Sequence, residues 1–340
     1  MYMQLNAKVR KSINIGVRTI ISLLAVWFIY RQLFVSGDYQ SFISYVNLHK
    51  ASASFYLPVM VALMLMPFNW GFEAIKWQRL IAGVEKVNFP QALLSVFTGI
   101  AMSLFTPNRI GDFLGRIFTL KKARPLDAAL LTITGSIAQL MVTLIVGMIA
   151  LVFYFPHHIE PHLFESDWLY AAVIAFIVLV ISAMVLFYLK APFLINRLNS
   201  MIKPEWYRIH RYLEVIQGIR QFDLVVVLVI SLSRYLVFST QFYLFLMAFG
   251  IDLPYLKALE LIALIYFVMT AIPTIALIDL GIRGSVAIYF IGQVFPDIQG
   301  VNTGIMLASM AVWLVNLALP ALFGLLFINR LKLMRKSMLT

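Results

Sequence analysis

Charged residues set into an apolar chain mark the first places to look for chemistry. In SLFTPNRIGDFLGR, Pro107, Arg109, Gly111, Asp112 and Arg116 interrupt apolar residues. In IPTIALIDLGIRGS, Pro273, Asp279, Gly281, Arg283 and Gly284 do the same. Arg234 stands near the middle of the apolar stretch 222–249. A guanidinium presents a planar fork of donors that matches two oxygens of a phosphate or carboxylate. Asp112 has the i±3 and i±4 spacing to pair with Arg109 and Arg116, as Asp279 has with Arg283. The first cluster still keeps a net positive charge, which suits an anionic headgroup. An arginine at the bilayer centre costs roughly 2.5–3.5 kcal/mol on insertion scales, so Arg234 must face protein or water.

Further polar residues fall in stripes. Asn69, Glu73 and Lys76 share one helix face, and so do Ser231, Arg234 and Gln241. Thr132, Ser136, Gln139 and Thr143 form a third stripe, and Ser309 and Asn316 lie in the last apolar stretch. For the Ser and Thr residues, hydrogen bonding between helices is the preferred reading. For Arg234 it is a functional role, and for Glu73 the two readings stand level.

Other chemistry has little support. The chain has no cysteine, which excludes disulfides, thiolate metal sites and a cysteine nucleophile. The stretch HHIEPH offers His157, His158, Glu160 and His162 to a metal, but an exposed polar loop is the preferred reading. No Walker loop, nucleotide fingerprint or H-E-x-x-H motif occurs, so no cofactor is expected and transport would not run on ATP bound here. A membrane-embedded glycosyltransferase would need a carboxylate outside a span. Asp38, Glu160, Glu165 and Asp167 are available, but no spacing supports them.

The elements that must position these residues follow from composition. Of the 340 residues, 62% are hydrophobic and 12% charged, against about 25% charged in soluble domains. Six stretches reach the roughly 20 apolar residues that cross a bilayer: 17–35, 54–77, 128–155, 168–189, 222–249 and 303–328. A signal peptide at the N-terminus is disfavoured because Arg31 breaks the expected flank. The net charge of +12 does not point to nucleic acid, because the cations lie between spans. All the Lys and Arg except Arg31, Lys50, Lys257, Arg283 and the in-span Arg234 fall on one side, which predicts cytoplasmic termini.

Two further apolar segments, 90–117 and 258–295, are broken by the clusters above. As re-entrant hairpins they satisfy the charge rule; kinked helices or interfacial loops are the alternative. Proline removes a donor and glycine permits a tight turn. The expected fold is an all-α polytopic membrane protein with about six spans and two re-entrant hairpins in an inverted repeat, the pattern of secondary transporters. Its parts are a cytoplasmic tail 1–16, a first repeat 17–160, a second repeat 161–328 and a cytoplasmic tail 329–340. Ile202, Trp206, Ile209, Leu213, Ile216 and Ile219 predict an interfacial amphipathic helix over 200–221.

The two charged segments resemble the paired signatures of the lysylphosphatidylglycerol synthase/flippase transmembrane family, over about 15–330. Asp112 stands where Glu is common, and Gly284 where an acidic residue usually follows the arginine. The short tail after 330 leaves no room for the aminoacyl-transferring domain of bifunctional members. The resemblance therefore implies a flippase-like, non-enzymatic unit of the cell inner membrane acting on a phospholipid or polyprenyl-phosphate lipid. Its binding residues would be Pro107, Arg109, Gly111, Asp112, Arg116, Pro273, Gly281 and Arg283, to which charge adds Arg234 and Asp279. A non-transporting scaffold or partner of an envelope lipid or glycan enzyme is the alternative. Membrane lipids are the expected partners, with a second copy or an envelope enzyme beside them.

Overall fold

The computed structural model describes residues 43–44, 53–104, 106, 111–158, 167–203, 205–272, 276–295 and 301–327. No strand occurs among them. The helices are α1 Ala53–Ile81, α2 Phe89–Ser103, α3 Gly111–Thr119, α4 Pro125–His158, α5 Asp167–Leu189, α6 Ala191–Met201, α7 Tyr207–Gln217, α8 Gln221–Ala248, α9 Tyr255–Ala271, α10 Ala276–Gly292, α11 Val301–Trp313 and α12 Leu319–Phe327. A π-helical segment, Leu314–Ala318, joins α11 to α12.

Five helical stretches are long and apolar enough to span a bilayer: Ser54–Ile81, Pro125–Pro156, Trp168–Leu189, Gln221–Ala248 and Val301–Leu326. A chain with this set is membrane-embedded and multi-pass. The expected span at 17–35 lies outside the described residues. In α5, Phe176, Leu179, Leu186 and Phe187 are exposed, as a helix apolar on all sides must be when lipid is its solvent. Three of the other spans bury a narrow face, and Val301–Leu326 is buried over most of its surface.

α1 and α8 form the most extensive helix pair. α2 lies against α3 and α12, and α9 lies against α4 and α10. Two apolar cores result. One gathers around Trp77, Leu131, Leu224 and Trp313, the other around Phe242, Leu246, Ile262 and Ile305.

The α2–α3 pair depends on small residues. A Cβ on Gly115 would overlap the backbone of Gly99, one on Gly99 would overlap Asp112, and one on Gly111 would overlap the Met102 carbonyl. On the other side of α2, a Cβ on Gly324 of α12 would strike the Phe97 carbonyl. Gly111 thus serves close helix approach rather than the tight turn expected of it. Its N–H, at the start of α3, donates to Thr106 Oγ1 at 2.7 Å. α2 is capped by Asn88, whose side chain accepts from the Gln91 N–H at 3.0 Å. With 15 residues α2 rises only about 22 Å, short of a bilayer core.

Other expectations need adjusting. Asp112 and Arg116 lie within α3, and Asp279, Gly281, Arg283 and Gly284 within α10, rather than in turns. Pro107, Arg109 and Pro273 lie outside the described residues. The amphipathic helix is shorter than 200–221: α7 begins at Tyr207, leaving Ile202 and Trp206 outside it. The preceding α6 is a separate helix, tied to α7 by a 2.6 Å hydrogen bond between Asn199 and His210.

Candidate functional site

Three helices bring their charged residues to one carboxylate. α1 contributes Asn69, Glu73 and Lys76 from one face, α3 contributes Asp112 and Arg116 one turn apart, and α8 contributes Arg234. Glu73 Oε1 accepts from Arg116 Nη2 at 2.8 Å. Glu73 Oε2 lies 2.7 Å from Lys76 Nζ and 3.1 Å from Arg234 Nη1. That oxygen faces two cations yet has no aligned hydrogen bond to either. Arg116 also forks onto Asp112, with Nε donating to Oδ1 at 3.0 Å and Nη2 to Oδ2 at 2.8 Å.

Arg234 is held on every side. Its Nε donates to Asn69 Oδ1 at 3.0 Å and its Nη1 to Gln139 Oε1 of α4 at 3.3 Å. Its guanidinium lies 5.1 Å from the centre of the Trp70 ring, and that of Arg116 lies 5.4 Å from Trp77. Such stacking suits a weakly hydrated guanidinium in apolar surroundings. Asn69 also hydrogen-bonds Asn316, which lies in the π-helical segment. Single-turn π segments recur at functional sites because they re-aim a side chain without breaking the helix. The stripe on α8 faces the same way: Gln241 donates to the Ala62 carbonyl at 2.8 Å, and the Ser231 carbonyl accepts from Gln139 at 3.3 Å.

Trp70, Glu73, Lys76, Asp112, Arg116, Gln139 and Arg234 line a cavity of about 710 Å³. Both broken segments reach it, through Asp112, Phe113 and Arg116 on one side and Met269–Ile272 and Asp279 on the other. Asp279 is paired with Arg283 at 2.6 Å, and the Arg283 guanidinium lies 5.9 Å from the Tyr266 ring. Counting that Arg283, four cations meet three carboxylates, so the described charges leave one positive. α4 lines the cavity with both polar and apolar residues, Ser136, Gln139 and Thr143 beside Ile133, Ile137 and Leu140. Ile133, Ile137 and Leu140 are exposed. The volume falls within the roughly 300–1,000 Å³ of small-molecule sites.

Of the sequence-selected residues, Asp112, Arg116, Arg234 and Asp279 line this cavity. Arg283 reaches it only through Asp279. Gly111 supports α3 from behind, and a Cβ on Gly281 would meet no atom within 4 Å, so no packing requirement falls on it. Glu73, Lys76 and Gln139 were visible as stripe residues but were not selected as binding residues. The signal for Glu73 and Lys76 is an ionisable pair inside an apolar span, which by default marks a functional site. The Thr stripe on α4 turns inward on its own helix. Thr132 and Thr143 donate to the Ala128 and Gln139 carbonyls one turn back, not across to a neighbour. The side chains of HHIEPH lie outside the described residues, and no cluster of metal-ligating side chains occurs among those described.

No curated protein and no solved structure matches the chain. A family model does, over residues 15–324. With that match spanning nearly the whole membrane unit, on which the paired charged segments and the ionic cavity between them lie, the chain belongs to the family described as the lysylphosphatidylglycerol synthase TM region.

Proposed function

We propose that the chain is a flippase-like, non-enzymatic membrane protein that binds and translocates an anionic or modified lipid, a phospholipid or a polyprenyl-phosphate lipid. The observation that carries this reading is a cavity whose lining joins the charges of Glu73, Arg116 and Arg234 to exposed apolar residues of α4, Ile133, Ile137 and Leu140. A phosphate headgroup fits beside Arg116 and Arg234, while acyl chains run along Ile133, Ile137 and Leu140 of α4. Guanidiniums suit this role because they stay charged and present paired donors.

The proposed architecture is an inverted repeat, 17–160 and 161–328, with re-entrant hairpins at 90–117 and 258–295. Its support is the exchange of partners. The hairpin helix α2 packs on α12, the last span of the second unit, and α9 packs on α4, the last span of the first. α1 and α8, the corresponding spans, pair with each other. In this scheme the termini are cytoplasmic, the hairpins enter from opposite faces and the membrane is the cell inner membrane.

The test is translocation by the purified chain in vesicles carrying a fluorescent anionic phospholipid. Protein-containing vesicles should equilibrate the label between leaflets, and Arg234→Gln should slow this about tenfold or more, since a charge-assisted hydrogen bond is worth roughly 1.5–3 kcal/mol. Equal rates in protein-free vesicles, or an unaffected Arg234→Gln variant, would overturn the proposal. A second reading, a non-transporting partner of an envelope enzyme, draws on the saturation of the network, since Lys76, Arg116, Arg234 and Arg283 each already hold a carboxylate. The same vesicles separate the two.

A further inference from the structure

At the end of the bundle where α1 finishes and α4 and α8 begin, a second cavity of about 970 Å³ lies between those helices and α7. It shares no lining residue with the cavity around Glu73. Five cations line it, Arg79, Lys122, Arg124, Arg211 and Arg220, with three carboxylates, Asp127, Glu214 and Asp223, so the lining keeps a net positive charge. Three of the cations are already engaged. Arg79 and Arg220 each lie 2.8 Å from Asp223, and Arg124 lies 2.7 Å from Asp127 Oδ2. Lys122 and Arg211 have no carboxylate within ion-pair distance among the described residues.

The wall carrying Lys122 is fixed in place. Glu85 accepts the backbone N–H groups of Lys121, Lys122 and Ala123 at 2.6 to 3.0 Å, which clamps the connector between α3 and α4. Lys122 is therefore presented by a rigid backbone with only its side chain free. Asp127, 2% exposed, supplies a contrasting feature. Its Oδ1 is buried without a hydrogen bond, although Oδ2 is held by Arg124. A buried acceptor left unmade disfavours the empty state. On α6, which packs against α7, and at the start of α7, which lines the cavity, Phe193, Leu198, Met201, Trp206 and Tyr207 are exposed. Aromatic and apolar residues exposed next to basic ones are the composition of a helix lying in the bilayer interface.

We propose that this cavity is a second lipid site, which takes a phosphodiester headgroup from the adjoining leaflet. Lys122 and Arg211 hold the phosphate, and Asp127 accepts a hydrogen bond from a headgroup ammonium or hydroxyl. The two features of the cavity call for different chemistry at once. Unpaired cations call for an anion, and an orphaned carboxylate oxygen calls for a donor. A headgroup carrying both, with a few bonds between them, meets the pair, and bare phosphate does not. Bound there, it bridges α7 to the connector and to the first turn of α4.

The full chain in detergent is titrated with dihexanoyl phosphatidylethanolamine and dihexanoyl phosphatidylcholine, reading the melting midpoint and binding directly by thermophoresis. The two probes share phosphate and charge and differ in N–H donors. The ethanolamine lipid should bind about tenfold more tightly, which is about 1.4 kcal/mol. Lys122→Gln with Arg211→Gln, both at exposed positions, should weaken both probes by about tenfold or more while the ligand-free midpoint stays put. Asp127→Ala should erase the preference but not the binding. In Arg234→Gln, whose change falls in the cavity around Glu73, the preference for the ethanolamine lipid should remain, which separates the two sites. Undiminished binding by the Lys122→Gln/Arg211→Gln variant would overturn the site, as would loss of the ethanolamine preference in Arg234→Gln alone. Free phosphoethanolamine binding as tightly as the lipid would overturn the leaflet as source and assign the cavity to soluble phosphate esters.

Discussion

Replacing Glu73 by Gln removes the carboxylate shared by three cations. The three are not equally exposed to the loss. Arg116 keeps its fork on Asp112, and Arg234 keeps Asn69, Gln139 and the Trp70 ring. Lys76, 2% exposed, has Glu73 as its carboxylate and would be stranded. The new amide would also aim an N–H group at a neighbouring cation. Leaving one partner of a buried pair uncompensated costs about 3–5 kcal/mol. At the roughly 2–4 °C per kcal/mol of domains of 150–250 residues, the melting midpoint should fall by on the order of 10 °C. Heating the detergent-solubilised protein and following the monodisperse fraction by fluorescence-detected gel filtration measures this. Glu73→Gln with Lys76→Met removes the stranded cation and refills its volume with an apolar chain, so most of the loss should return. A Glu73→Gln midpoint equal to that of the unaltered chain would refute the reasoning. So would a double variant less stable than the single one, since the cost could not then lie in Lys76.

Three further outcomes are expected. Single cysteines at Ser36, Ser166 and Gln299 should label from outside intact cells, and those at Asn6, Asn199 and Ser337 should not; outside labelling at Asn199 breaks the inverted repeat. Gly115→Leu should destabilise the chain by about 1–3 kcal/mol or more by the same melting assay, because overpacking forces α3 from the Gly99 backbone; an unchanged midpoint would show that α2 and α3 can separate freely. Arg283→Gln should lower abundance by removing the cation that lies 2.6 Å from Asp279, and adding Asp279→Asn should restore abundance; if translocation returns with it the pair is structural, and if it does not Arg283 serves the headgroup.

Five of the six expected spans were legible among the described residues, because the bilayer imposes a length and a composition on each one, independent of neighbours. The stripes on α1 and α8 were legible for a similar reason: Asn69, Glu73 and Lys76 must share a face of any helix. Their convergence was not. Arg116 and Arg234 are distant from Glu73 in the chain, and only the packing of α1 against α3 and α8 brings them to one carboxylate. Glycine was misread in kind. Gly111 beside a proline and charges reads as a turn, by local propensity. The tertiary demand is different: α2 and α3 cross so closely that a Cβ at Gly99, Gly111 or Gly115 would overlap the other helix. Gly99 carried no mark in the sequence, because the need for it belongs to Asp112 on another helix. The Thr residues of α4 were misassigned because a hydroxyl in a helix can reach its own carbonyl one turn back as readily as a neighbour.

The Glu73 network also limits how the proposed lipid can be held. Each of its cations already has a carboxylate, so a phosphate gains little by simple addition to Arg116 or Arg234. It gains by replacing Glu73, because exchange of one buried anion for another avoids most of the desolvation cost that burying a new charge would carry. Arg116 can join such an exchange without leaving Asp112, since only its Nη2 reaches Glu73 while Nε stays on Asp112. Arg234 can do so without leaving Asn69. Release of Glu73 then loosens α1 from α3, which is one limb of the first broken segment, while Lys76 remains to hold the freed carboxylate. Headgroup binding and movement of that segment would thus be one event, with Glu73 returning as the competing anion when the lipid leaves.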